Sequence, residues 1–135
     1  MKFTLPLFLA FLSLFSVMSA AVPAITPAEA AQLVADGKAV IIDVREPVEW
    51  AESGVAAPAV LLPKSEFDAG LAGEWQDFLA KVGDKQIITY CRSGRRSAAV
   101  AEALAAKGHK VANAGPFDAW KAAGLPTRKS TEPAK

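Results

Sequence analysis

Cys91 is the only cysteine in this 135-residue chain. It closes the apolar run Ile87-Ile88-Thr89-Tyr90 and is followed at once by Arg92-Ser93-Gly94-Arg95-Arg96-Ser97 and an alanine-rich helical pattern. A thiol at the end of a strand, ahead of a short loop and a helix, meets successive backbone N–H groups and the positive end of that helix, and both favour the thiolate. Three flanking cations do nothing for a cysteine that merely fills a core, so the pattern points to a nucleophile. Arg92, Ser93, Gly94, Arg95 and Arg96 are the candidates for holding an anionic substrate. Gly94 is suited to a positive φ or a close backbone approach. An unperturbed thiol is only a few per cent ionised at neutral pH, so the loop must lower its pKa for the chemistry to run.

Other uses of a lone cysteine are closed. It can form no internal disulfide, and with the single histidine, His109, it cannot build a zinc site. No metal and no cofactor are expected. Thiol–disulfide exchange normally wants a resolving cysteine nearby, and none exists.

The first residues carry Lys2, a mostly apolar stretch from Phe3 to Met18, and then Ser19-Ala20-Ala21. That order is expected of a secretory signal peptide over 1–21, too short and too broken by Pro6 for the roughly 20 apolar residues that span a bilayer. The expected location is therefore exported, in the periplasm, with no membrane contact after cleavage. Without Lys2, the 15 basic residues of the chain fall level with its 14 acidic ones. A net charge near zero gives no sign of a nucleic-acid or anionic-membrane partner.

The elements that must position the thiol are read from periodicity. Thr26-Pro27-Ala28-Glu29 has the form of a capping box, opening a helix that Gly37 stops. Ala39 to Val44, Ala59 to Leu62, Gln86 to Tyr90 and Lys110 to Ala114 are short apolar, β-branched runs typical of buried parallel strands. Pro47 opens a brief helix through Trp50. Phe67, Leu71, Trp75, Phe78, Leu79 and Val82 have the spacing of one amphipathic helix from Ser65, weakened by Gly70 and Gly73. Ser97 is expected to cap the helix after the cysteine loop, which Gly108 terminates, and Pro116 to Ala123 to form a last one. Trp50, Trp75 and Trp120 read as core. The polar residues from Thr127 to Lys135 are expected to fray. Strands alternating with helices predict one α/β domain, a central parallel β-sheet with helices on both faces, whose ligands gather at the carboxyl ends of the strands. Asp43 and Cys91 both fall there. Asp43 and Arg45 are expected to support the fold by pairing rather than to join the chemistry.

The loop Cys91-Arg92-Ser93-Gly94-Arg95-Arg96 resembles the Cys-x-x-Gly-x-Arg active loop of the rhodanese family. The resemblance extends to Asp43-Val44-Arg45-Glu46 with Glu49-Trp50, and to Asn113-Ala114-Gly115 through Trp120 and Gly124-Leu125-Pro126. It implies a rhodanese-like domain over 22–127 with a polar C-terminal tail at 128–135, most similar to the small exported members of the phage-shock protein E type. Gly54-Val55-Ala56-Ala57-Pro58-Ala59 departs from the family's usual Gly-His-Ile-x-Gly-Ala, which bears on the backbone path there. The resemblance implies a thiosulfate sulfurtransferase, in which Cys91 takes the outer sulfur of a small anionic donor as a persulfide and passes it to a thiol or cyanide. A persulfide carrier serving a partner protein, with little small-molecule turnover, needs the same activated cysteine. Donors of the mercaptopyruvate type go with small uncharged loop residues, so Arg92 and Arg95 favour thiosulfate. Cysteine-dependent phosphatases place their arginine six positions after the nucleophile. Here that position is Ser97, and negligible phosphatase activity is expected. Neither the acceptor nor the oligomeric state is legible.

Overall fold

The computed structural model describes Lys2 and residues 21–135. The expected signal segment 1–21 lies, but for Lys2 and Ala21, outside the described residues. In chain order the elements are α1 (Pro27–Ala35), β1 (Ala39–Asp43), α2 (Pro47–Ser53), β2 (Val55–Ala56), β3 (Val60–Leu61), α3 (Lys64–Asp68), α4 (Trp75–Lys81), β4 (Gln86–Cys91), α5 (Arg95–Ala106), β5 (Val111–Pro116), α6 (Phe117–Ala122) and β6 (Thr127–Arg128). The central sheet runs β3-β1-β4-β5 with every pair parallel. The capping box of α1 is present in full, Thr26 and Glu29 each accepting the other's backbone N–H.

Two-residue alternation along buried strands gives the sheet two apolar faces. Ile41, Ile88, Tyr90, Ala112 and Ala114 pack with Ala30 of α1 and with Phe117 and Trp120 of α6. Ile42, Ile87, Cys91 and Val111 pack with Trp75 of α4 and with Val100, Ala101 and Leu104 of α5. Burying one large aliphatic or aromatic side chain in such a layer is worth about 1.5–3 kcal/mol. The alternation also decides the chemistry's side of the sheet: Cys91 faces α5, while Tyr90 faces α6.

Four expectations are corrected. The single helix from Ser65 to Val82 is two, α3 and α4, because Gly70 and Leu71 adopt φ +83° and +61° and break the right-handed run. Phe67, Leu71, Trp75 and Phe78 nevertheless reach one core, with Phe67 edge-on to Trp75 at 4.9 Å between ring centres, which is why their spacing imitates a continuous helix. Ser97 does not cap α5: Gly94 does, in a left-handed conformation, and Ser97 stands inside the first turn.

The chain from Thr127 does not fray at once. Thr127 and Arg128 form β6, antiparallel to β2. The buried Arg128 donates from Nε to Ala57 O (3.0 Å), from Nη2 to Ala59 O (2.7 Å) and from Nη1 to Glu132 O (2.6 Å). The carbonyls of Ala57 and Ala59 belong to the segment that departs from the family pattern, so an arginine distant in sequence holds its path. Lastly, Trp75 and Trp120 are core, their indole N–H groups donating to Pro63 O and Pro126 O, but Trp50 is only half-buried on the short helix α2 and its Nε1 has no partner.

Candidate active site

β4 delivers Cys91 fully buried to the start of the loop that runs into α5. Its Sγ accepts hydrogen bonds from Gly94 N at 3.0 Å, Ser97 N at 3.4 Å and Ser97 Oγ at 3.3 Å. Burial is the largest single influence on this thiol and raises its pKa. The donors act the other way, Ser97 hydroxyl first, then the amides of Ser97, Gly94 and Ser93, and together they prevail: the pKa lies below its ordinary 9.0. The arginines are not the thiolate's direct partners. Main-chain dipoles and one hydroxyl, at the N-terminal end of a twelve-residue helix, supply the stabilisation.

The loop closes this tightly because Gly94 takes φ +90°, turning its N–H back onto Sγ. A side chain there would be strained, and its Cβ would lie 3.2 Å from Gly115 Cα. Asn113, which the sequence reading did not single out as a site residue, braces the same loop. Its Nδ2 donates to Gly94 O (3.0 Å), and its Oδ1 accepts from Ser97 Oγ (2.8 Å) and Gly115 N (3.0 Å). A β-bulge supports the arrangement, since Thr89 pairs with Asn113 while Tyr90 pairs with Gly115, leaving Ala114 over. The backbone of Asn113 is fixed from its other side, donating to Pro23 O at 2.9 Å and accepting from Ile25 N at 3.0 Å. Thr89 adds a further tie, its hydroxyl donating to Ser97 O at 2.9 Å.

The sequence-predicted anion binders separate into two groups. Arg96 makes a two-pronged ion pair with Glu49 of α2, at 2.6 and 2.9 Å, which pins the start of α5 to α2. That pair holds the Glu49 carboxyl down at about 2, the Arg96 hydrogen bond being the largest influence, and it raises Arg96, with the Cys91 charge contributing less. Arg92, Ser93 and Arg95 are exposed at the loop rim. Among the described residues neither Arg92 nor Arg95 has a side-chain partner, whereas Ser93 Oγ accepts from Arg95 N at 3.3 Å.

Asp43 and Arg45 are not brought to Cys91. They form a buried pair in which Asp43 accepts from the Arg45 backbone N–H, Nε and Nη2, the last at 2.7 Å. Arg45 also donates to Gly54 O and Ser53 Oγ, and its guanidinium lies 4.5 Å from the centre of the Phe117 ring. Burial lowers its pKa most, but Asp43 more than offsets this and the net shift is upward. Tyr90 completes the set, its hydroxyl accepting from Ala56 N at 2.9 Å, with burial first and Asp43 second pushing its pKa well above the usual value. This network fastens β1 to the turn after α2 from the sheet face opposite the thiol. Between α2 and α6, against Arg92, lies a cavity of about 320 Å³ whose lining includes Arg45 and Phe117.

A parallel α/β sheet that ends one strand in an ionisable cysteine, ringed by the amides of a loop with a left-handed glycine, defines an α/β domain with a nucleophilic cysteine at its centre. The chain belongs to the family of the rhodanese-like domain, whose model matches residues 26–123. Among solved structures it is similar to a human single-domain sulfurtransferase, at 25% identity over 75% of this chain and 96% of that one, TM-score 0.59. It is similar also to a Rhodopseudomonas palustris protein of unknown function described as a possible tyrosine phosphatase, at 28% identity over 79% and 85%, TM-score 0.67. The polysulfide-sulfur transferase homodimer of Wolinella succinogenes shares the fold at 24% identity over 87% of each chain, TM-score 0.62. A search of curated proteins finds no match. The family and the human sulfurtransferase neighbour support sulfur transfer as the reaction class.

Proposed function

We propose that the protein is an exported, periplasmic thiosulfate sulfurtransferase that carries sulfur as a persulfide on Cys91. The observation that carries this reading is the set of donors on Sγ, two amide N–H groups and one hydroxyl within 3.4 Å. The Cys91 thiolate attacks the outer sulfur of thiosulfate, the sulfur–sulfur bond of the donor breaks, and its electron pair leaves on sulfite. The persulfide then gives its outer sulfur to cyanide or a thiol, and Cys91 departs as the thiolate it began as. The same amides that stabilise the starting thiolate stabilise the departing one, so the loop favours both half-reactions.

The geometry supports the choice of substrate size. A fully buried Sγ is out of reach of a bulky electrophile, while a persulfide extends the reactive atom by a bond of about 2.05 Å. The exposed guanidinium groups of Arg92 and Arg95 draw a dianion to the rim. Arg96 stands five positions after the cysteine and is engaged by Glu49, which speaks against a phosphate-wrapping loop. Steady-state assay with thiosulfate and cyanide tests the reading. Ping-pong kinetics with sulfite release is expected, and stoichiometric loading without turnover would point instead to a carrier for a partner protein. Hydrolysis of an aryl phosphate that is lost in Cys91→Ser would overturn both.

A further inference from the structure

The cavity between α2 and α6 is lined by three cations, Arg45, Arg92 and Lys121, and three anions, Glu49, Glu52 and Asp118. Most of these charges are engaged within the protein. Arg45 is bound by Asp43, Gly54 O and Ser53 Oγ. Glu49 is bound by Arg96, and Lys121 lies 3.1 Å from Asp118. Arg92 and Glu52 are left, one of each sign, without a side-chain partner among the described residues. The cavity opens over the carboxyl ends of the sheet strands, with Arg45 two residues after β1, Phe117 immediately after β5 and Arg92 immediately after Cys91. It therefore adjoins the loop, and the two charges left unpaired on its lining are of opposite sign.

We infer that this cavity receives the sulfur acceptor, and that the acceptor is a small zwitterionic thiol of the amino-acid type, its carboxylate on Arg92 and its ammonium on Glu52. Two unpaired charges of opposite sign suit a neutral molecule whose own two charges are separated better than they suit a dianion. A volume of about 320 Å³ stands at the small end of ligand pockets, which fits a single amino acid rather than a protein segment. The inference rests on the sulfurtransfer reading. The acceptor thiolate attacks the outer sulfur of the Cys91 persulfide and forms a new sulfur–sulfur bond. The bond from Sγ breaks, Cys91 leaves as thiolate, and the persulfide proton stays with the product, with no oxidant or reductant needed.

Single-turnover discharge tests this. The full chain is loaded with thiosulfate or inorganic polysulfide, and loading is verified by the added mass of one sulfur atom. Discharge is then timed with cysteine, with cysteamine, which lacks the carboxylate, with mercaptopropionate, which lacks the ammonium, and with cyanide. All thiol rates are referred to thiolate concentration. Cysteine is expected to discharge fastest. Glu52→Gln is expected to slow cysteine and cysteamine about tenfold, equivalent to about 1.4 kcal/mol, and to leave mercaptopropionate and cyanide unchanged. Arg92→Gln should slow cysteine and mercaptopropionate relative to cysteamine. Thiols that discharge equally, or variants that slow all acceptors alike, would overturn the acceptor assignment while sulfur transfer stood. Failure to load from either donor would bring down the sulfurtransfer reading, and the acceptor assignment with it.

Discussion

Ser97 Oγ lies 2.8 Å from Asn113 Oδ1 and 3.3 Å from Cys91 Sγ, so one hydroxyl proton faces two acceptors. It can donate to only one at a time. A charged sulfur is the stronger acceptor, and a neutral one returns the proton to the amide oxygen, which keeps Ser97 satisfied whether Sγ is charged or neutral.

Removing that hydroxyl should therefore be felt first in acidity. In Ser97→Ala, the thiolate absorbance midpoint should rise by about one pH unit, the worth of roughly one hydrogen bond to a charged group. Ultraviolet titration of the wild type and the variant reads this without any substrate, and coincident curves would mean that Ser97 does not stabilise the thiolate.

Gly94→Ala should damage both the loop and the thiol. The residue would have to hold φ +90° with a Cβ 3.2 Å from Gly115 Cα, a strain of about 1–3 kcal/mol. Relief by rotating the peptide takes the Gly94 N–H off Sγ. Chemical denaturation should show the stability loss, and titration a higher thiolate midpoint.

The pair between Glu49 and Arg96 gives the fold a pH dependence of defined sign. The Glu49 carboxyl is held at about 2 in the folded protein, against 4.5 for the free group. Its contribution is therefore complete above about 4.5 and is lost as pH falls toward 2. Glu49→Gln should be less stable than the wild type at pH 7, with the gap closing through that window. A gap that stays constant with pH would exclude the pair as its source.

Arg128→Ala should destabilise the domain by about 2–4 kcal/mol, because it leaves the buried carbonyls of Ala57 and Ala59 unpaired. Denaturant titration measures it. A loss below about 0.5 kcal/mol would mean that water replaces the guanidinium without cost.

What the sequence displayed was whatever is local. The apolar runs before Asp43 and Cys91, the capping box at Thr26 and the abrupt change at Arg92 each depend on neighbouring residues, and the parallel sheet and the nucleophile's position follow from them. What it concealed depends on contacts between distant segments. Asn113 reads as one polar residue in a strand until the bulge at Ala114 sets it against Gly94 and Ser97. Its place two residues before Gly115 was the available signal. Arg128 looks like tail composition until β6 pairs with β2. Ser97 suggested a cap by type, but Gly94 begins the helix earlier because only a left-handed residue turns the chain there. Arg96 looks like an anion binder because its partner, Glu49, is 47 positions away.

Cys91, held as a thiolate by loop donors, is expected to take one sulfur atom from thiosulfate. Intact-mass spectrometry of the purified chain before and after thiosulfate, with Cys91→Ser alongside, reads that transfer. The expected result is the added mass of one sulfur on Cys91, discharged by cyanide and absent from the variant. No added mass, or the same added mass in Cys91→Ser, would exclude Cys91 as the sulfur carrier.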